Sequence, residues 1–305
     1  MVRVGVVLLP QERWSTQREK WQRLEEQGFD HAWTYDHLAW RSLADEPWFA
    51  TVPLLAAAAA VTSRIGLGTF VASPNFRHPV PFAKDVMGLD DVSGGRFVLG
   101  VGAGGTGFDA AVTGPPPTTG ERSRRFAEFV GLLDTLLREP VTSHQGAFYE
   151  AHDARMVPGT LARPRTPFVV AAAGPRAMAL AARLGDGWVT YGPSFGPEEA
   201  DAPDAQERWW AGVAEQAARM GEAEAAAGRP APLRRYLSLD GAPLFSLASL
   251  DLALEGVQRA AALGFDDVVV HWPRAQGVYA GDEAVLEALA GRLDEVHALA
   301  VAPRA

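Results

Sequence analysis

The chain has no cysteine in its 305 residues. That removes disulfides, thiolate zinc sites, iron–sulfur clusters and cysteine nucleophiles together. Lysine is almost as scarce: only Lys20 and Lys84 occur, so nearly all of the 28 positive charges are arginine. No block of like charge interrupts the sequence, and the formal net charge is −9. A nucleic-acid binder normally shows a basic face, so nucleic acid is excluded as an expected partner. Long apolar runs are missing as well. The longest, Val52 to Val61, is far short of a membrane span. Met1 to Pro10 carries only Arg3 as a charge and no small-residue cleavage site, so it reads as a strand rather than a signal peptide. The expectation is a soluble cytoplasmic protein that meets no membrane. The seven histidines show no H-x-x-x-H or H-E-x-x-H spacing, so no metal site is expected.

What is present is regular alternation. Short β-branched runs (Val2–Leu9, His31–Tyr35, Ile65–Val71, Phe97–Val101, Phe168–Ala172, Trp188–Tyr191, Leu233–Leu239 and Val268–His271) alternate with longer helical patterns. The helical stretches are Thr16–Gln27, Phe49–Thr62, Val80–Val92, Glu121–Arg138, Arg176–Leu184, Glu199–Ala227, Leu250–Leu263 and Glu283–Leu299. Strands alternating with helices imply a parallel sheet, and eight such units predict an α/β fold closed as a single (β/α)8 TIM barrel over residues 1–305. Gly28-Phe29-Asp30 and Gly264-Phe265-Asp266 each end a helix and open a strand, with Leu184-Gly185-Asp186 as a looser third copy. Glycine there can take the left-handed turn that stops a helix. Two regions break the rhythm as insertions after strand four. Thr113 to Gly120 contains three consecutive prolines, and Val141 to Arg165 reads as a hairpin or excursion. Both are expected near the functional end of the barrel.

Four places could carry chemistry. In a barrel of this kind the C-terminal ends of the strands face the active site. Tyr35-Asp36-His37, with Trp40 close behind, ends the second strand. Histidine can bond to or protonate a substrate near neutral pH, and an indole offers a flat wall for a ring. After strand four, Gly102, Gly104 and Gly107 spell G-x-G-x-x-G, yet three prolines follow within ten residues and the strand is the fourth rather than an early one, so a Rossmann reading fails its context. What survives is that Gly102 and Gly104 let a flat ligand approach the backbone. Gly174-Pro175-Arg176 follows the fifth strand and opens a helix, whose free N–H groups, helped by Arg176, could hold an anion such as a phosphate. Finally, Gly192-Pro193-Ser194-Phe195-Gly196 spells G-x-S-x-G, with Asp240 or Asp266 and His271 or His297 in the order of a serine hydrolase triad. Gly196-Pro197 delays the helix that a nucleophile elbow requires.

Taken in order, these stretches carry a family resemblance. Tyr35-Asp36-His37-Leu38, Ile65-Gly66-Leu67-Gly68-Thr69, Asn75-Phe76-Arg77-His78-Pro79, Ser93-Gly94-Gly95-Arg96-Phe97 running on to Gly104, and Gly174-Pro175 with Ala182 to Trp188 resemble the bacterial luciferase-like flavin-dependent oxidoreductases. The resemblance implies a (β/α)8 barrel using flavin mononucleotide (FMN) or the deazaflavin coenzyme F-420. It implies that His37 and Trp40 line the redox ring with Asp36 nearby. Phe70-Val71 matches the place where deazaflavin-using members bear a non-prolyl cis peptide against the ring. Ser73, Gly104, Gly174, Pro175 and Arg176 match positions that touch the ring edge or the phosphate. The chain departs from the sugar-phosphate dehydrogenases of the family, which place a catalytic glutamate where Gly105 stands and use lysines for the substrate phosphate. Gln11 and Glu12 are the nearest polar substitutes.

The expected function is hydride transfer between the cofactor ring and a small organic substrate, with coenzyme F-420 favoured over FMN. The alternatives are an FMN-dependent monooxygenase, a serine hydrolase using Ser194, and a barrel that binds flavin without catalysis. Beyond the substrate, a second copy in a homodimer is the one partner left open.

Overall fold

The computed structural model describes residues 1–105 and 107–304. Eight parallel strands close a barrel: β1 (Arg3–Val7), β2 (His31–Thr34), β3 (Gly66–Thr69), β4 (Phe97–Val101), then, past an inserted hairpin of β5 (Val141–Gln145) and β6 (Glu150–Arg155), β7 (Phe168–Ala171), β8 (Gly187–Thr190), β9 (Arg234–Ser238) and β10 (Asp267–His271). Closure runs through β1, which pairs with β2 (Gly5 against His31) and with β10 (Arg3 against Asp267). The predicted eightfold alternation is therefore the observed topology.

Two apolar layers follow from the period-two alternation of side chains. Val4 and Val6 of β1 and Val268 and Val270 of β10 point outward, into the core shared with the surrounding helices. Val7, Trp33, Tyr35, Phe70, Val169, Val189, Tyr236 and Val269 fill the inside. Bulky rings need small residues opposite them. A Cβ on Gly68 would lie 2.2 Å from the Trp33 ring. Below Trp33, its indole N–H donates to His31 Nδ1 at 2.6 Å, and His31 Nε2 meets Asp267 at 2.9 Å. Burial opposes charge on Asp267, but His31, Arg3 and Arg234 outweigh it and hold the carboxyl below its ordinary value. This cluster plugs the N-terminal end of the barrel.

The repeated Gly-x-Asp turns have a structural reason. Gly28 and Gly264 are left-handed (φ +86° and +81°), as expected of helix stops, whereas Gly185 is not. In all three copies the aspartate clips its strand to the one before it. Asp30 accepts from Val4 N–H, Asp186 from Phe168 N–H and Asp266 from Arg235 N–H, each at 2.8 Å.

Two predicted helices are each split. The stretch 199–227 breaks into Pro197–Ala200 and Ala205–Ala226 around Pro203, which lacks an N–H donor, and the stretch 283–299 breaks at Gly291–Arg292. A short helix, Phe108–Ala111, lies in the loop after β4. The β5–β6 hairpin is antiparallel, as expected, but its expected place at the functional end is corrected. It packs outside the barrel against the helix Thr119–Arg138, whose Glu128 accepts from the N–H groups of Ala147, Phe148 and Tyr149. Among the described residues no helix is long and apolar enough to cross a membrane.

Candidate active site

A cavity of about 690 Å³ opens at the C-terminal ends of the barrel strands. Aromatic side chains, among them Tyr35, Trp40, Phe70, Tyr191, Phe195 and Tyr279, form part of its walls beside glycines and polar groups. That size and lining are those of a small-molecule site. His37, Trp40, Phe70, Val71, Ser73, Gly102 and Gly104 all line it, so seven of the expected site residues meet in one place. The Phe70-Val71 peptide is cis. Thr106, in the glycine loop, lies outside the described residues.

Four expected residues stand elsewhere. Asp36 is 1% exposed and faces away from the cavity, where it takes both Arg77 Nε (2.7 Å) and Nη2 (2.6 Å). The reason is the strand period: Tyr35 and His37 point inward, so Asp36 between them points outward. Gly174, Pro175 and Arg176 do not line the cavity either. They sit exposed at the start of the helix Pro175–Leu184, beyond Ala171, which does. Gln11 and Glu12 pair instead with Glu46 and Lys20 at the surface.

Polar groups that sequence reasoning missed complete the wall. Asp109, from the short helix after β4, bonds His37 Nδ1, while its other oxygen accepts Leu38 N–H at 2.8 Å. Gly105 occupies the rim, and Asp109 is the only carboxylate between Gly102 and Gly120, a signal the sequence did hold. Asn75 braces the glycine loop by donating to the Gly105 carbonyl at 3.2 Å while accepting from Arg125 at 2.9 Å. Ser238 Oγ is buried in the cavity wall with no partner among the described residues.

Asp240 and His271 do pair, with Nδ1 and Oδ2 2.8 Å apart, as a triad would require. But His271 Nε2 is engaged by Tyr35 Oη at 2.8 Å, and Ser194 sits exposed at the cavity mouth on a loop that leads only to a one-turn helix, Pro197–Ala200. The geometry of a serine nucleophile is absent among the described residues. Much of the motif that carried the resemblance is scaffold. Arg96 makes five hydrogen bonds that tie the start of β4 to Ala59, Thr62, Ile65 and Ser93. His78 caps its helix by accepting from Val80 N–H.

The family model described as luciferase-like monooxygenase matches residues 2–239. The chain belongs to that family. Its luciferase-like relatives include an F420-dependent glucose-6-phosphate dehydrogenase of Beutenbergia cavernae, 38% identical over 169 residues, 54% of this chain and 49% of that protein. Another is the 4-hydroxyprotoasukamycin monooxygenase of Streptomyces nodosus subsp. asukaensis, 33% identical over 207 residues, 65% of this chain and 52% of that one. The chain thus spans about half the length of the curated relatives it matches. Among solved structures, the coenzyme F420-dependent tetrahydromethanopterin reductase of Methanopyrus kandleri superposes with a TM-score of 0.74 at 16% identity, covering 95% of this chain and 97% of that one. That likeness places the luciferase-like barrel fold.

Proposed function

We propose that this protein is an oxidoreductase that passes a hydride between a bound deazaflavin (coenzyme F-420) or FMN ring and a small organic substrate. The observation that carries the proposal is the pairing of one flat-walled cavity with an imidazole, His37, held by a carboxylate at its edge. The residues present fit a tricyclic ring. Gly102 lets Val71 pack closely against the backbone of the wall, for a Cβ there would meet Val71 at 2.8 Å, and the Ser238 hydroxyl, without a partner among the described residues, awaits a polar contact from an occupant. When bound, the ring supplies two-electron hydride chemistry.

The chain's own residues then orient, exclude water and move protons. With Asp109 on Nδ1, His37 presents Nε2 to bond or protonate a substrate atom. Trp40 and Tyr279, stacked with their planes 24° apart, wall the substrate side. Gly174 to Arg176 would hold a phosphate on the part of the cofactor that extends past the cavity, through the free N–H groups of the helix start and the Arg176 guanidinium. The F420-dependent relatives support the deazaflavin over FMN. With Gly105 where the family resemblance implies a catalytic glutamate, and Arg41 and Arg122 rather than lysines in the lining, a sugar phosphate is disfavoured as substrate. A monooxygenase with FMN is the second reading, favoured by the relative that shares the longer match.

Titration of the cofactor-free protein with F-420 and with FMN, followed by absorbance, tests both readings. Binding of one at about micromolar Kd supports the proposal, and micromolar binding of neither overturns it. Substrate-dependent oxygen consumption with FMN selects the monooxygenase.

A further inference from the structure

A second imidazole–carboxylate pair, His271 and Asp240, is buried at the cavity wall, which Asp240 helps to line, and the imidazole meets the phenol of Tyr35. Asp240, just past β9, is ringed by donors: Oδ1 takes Ser246 N–H at 2.9 Å, and Oδ2 takes His271 N–H at 2.6 Å and His271 Nδ1 at 2.8 Å. A carboxylate accepts, so Nδ1 carries the proton and the neutral ring offers a lone pair at Nε2. Tyr35 Oη, 2.8 Å away, therefore donates to Nε2 and accepts from Tyr279 Oη, also at 2.8 Å. Every proton in the chain points inward. Tyr279, the last of the chain, lines the cavity, and among the described residues its oxygen accepts no hydrogen bond.

The placement is held firmly. The Tyr279 ring stacks on His271 at 3.8 Å and 12°, and its backbone is left-handed (φ +61°), a conformation that a non-glycine residue holds only when its surroundings impose it. Burial pushes the Tyr35 phenol well up, and Tyr279 is pushed up to about 12. Both phenols therefore stay neutral, passing protons without storing charge.

We infer that Tyr279, Tyr35, His271 and Asp240 are a proton relay between the cavity and a buried imidazole, serving a substrate whose hydroxyl is oxidised to a carbonyl or the reverse. The inference rests on the hydride-transfer reading above. In oxidation the substrate O–H bond breaks and its proton goes to Tyr279 Oη. The proton of Tyr279 moves to Tyr35, and that of Tyr35 moves to His271 Nε2. The adjacent C–H bond breaks with its electron pair leaving as hydride to the oxidised deazaflavin or flavin ring, and the C=O bond forms. His271 ends as an imidazolium beside the Asp240 carboxylate, and reduction of the carbonyl runs each transfer backward. His37 and Asp109, on the other side of Tyr35, remain a separate pair.

Two measurements test the relay. The first needs no cofactor: ¹⁵N NMR of His271 should show Nδ1 protonated and Nε2 accepting a hydrogen bond that Tyr35→Phe removes. A dominant Nε2–H tautomer would reverse the chain and overturn the inference. The second uses the cofactor-loaded protein turning over an alcohol. Tyr279→Phe and Tyr35→Phe should each slow hydride transfer by about 100-fold, and change its solvent deuterium isotope effect, while cofactor Kd stays within about twofold. Folded, cofactor-binding variants that keep the wild-type rate and isotope effect would sink the relay and leave the oxidoreductase reading standing. Failure of the wild type to bind either cofactor would instead remove that reading, and with it the relay's role in hydride transfer.

Discussion

Asp109 holds His37 by its ring and by its turn at once: one oxygen bonds Nδ1, and the other accepts the N–H groups of Leu38 at 2.8 Å and Ala39 at 3.4 Å. A single carboxylate thus sets the tautomer and the position of the imidazole. Asp109→Asn keeps the shape but can donate to Nδ1, which would turn Nε2 into a donor. The expected result is a loss of about 100-fold in turnover with cofactor affinity nearly kept, and His37→Ala should lose at least as much. Steady-state rates beside a cofactor titration check this, and an unchanged rate in both variants would remove His37 from the chemistry.

Asp36 predicts a stability effect rather than a catalytic one. Its side chain is 2% exposed and its charge is answered bidentately by Arg77. Removing one partner of such a pair strands a buried charge. Arg77→Met is expected to cost about 3 kcal/mol, seen as a lower urea midpoint at unchanged slope, and adding Asp36→Asn should recover part of it. A single variant within experimental error of wild type would show that the pair carries no net stability.

Much of this protein was legible before its structure because barrels repeat. Each βα unit writes its own period, and the Gly-x-Asp turns mark where helices stop, so the topology needed only local reading. The side-chain direction of Asp36 was readable from the same rule but was missed, since adjacency to His37 suggested a shared role. Asp109 sits in a loop without periodicity, and only its isolation as a carboxylate marked it. Of the Tyr35–His271–Asp240–Tyr279 network, the sequence offered only the pairing of Asp240 with His271, within a triad that does not form, and nothing that joined the two tyrosines to it. Its members come from the ends of β2, β9 and β10 and from a following loop, and they meet only because β1 closes the barrel between β2 and β10.

Gly100 is the residue that lets β3 and β4 approach beneath the cavity floor. A Cβ there would lie 1.9 Å from the Thr69 carbonyl oxygen, a backbone atom with no freedom to move aside. The same Gly100 carbonyl takes Ala72 N–H at 2.8 Å and the Thr69 hydroxyl at 2.6 Å, so displacing it disturbs the run that carries Phe70 and Val71. Gly100→Ala should cost about 2 kcal/mol or more and weaken cofactor binding. Gly131→Ala is the contrasting case, inside the helix Thr119–Arg138 with open space at the Cβ position. It should gain about 0.5–1 kcal/mol. Thermal or urea unfolding of the two variants decides, and equal effects would mean that the tight approach at Gly100 is absorbed elsewhere.

Glu25 gives the protein an acid-sensitive clip far from the cavity. Burial disfavours its charge, yet the N–H groups of Ile65, Arg64 and Ser63 and the Ser63 hydroxyl together outweigh it and lower the carboxyl from its ordinary 4.5 to about 2. These bonds tie the first helix, Trp14–Glu26, to the turn that opens β3. A depressed folded value means that the unfolded chain takes up the proton first on acidification. The stabilisation is therefore complete above pH 4.5 and is lost as the pH falls through the window down to about 2. Because the group stands largely in water, screening leaves it worth about 1 kcal/mol. Glu25→Gln should lower the urea midpoint at pH 7, and the gap to wild type should close between pH 4.5 and about 2. A gap that stays constant through that window would show that packing of the side chain, not its charge, holds the turn.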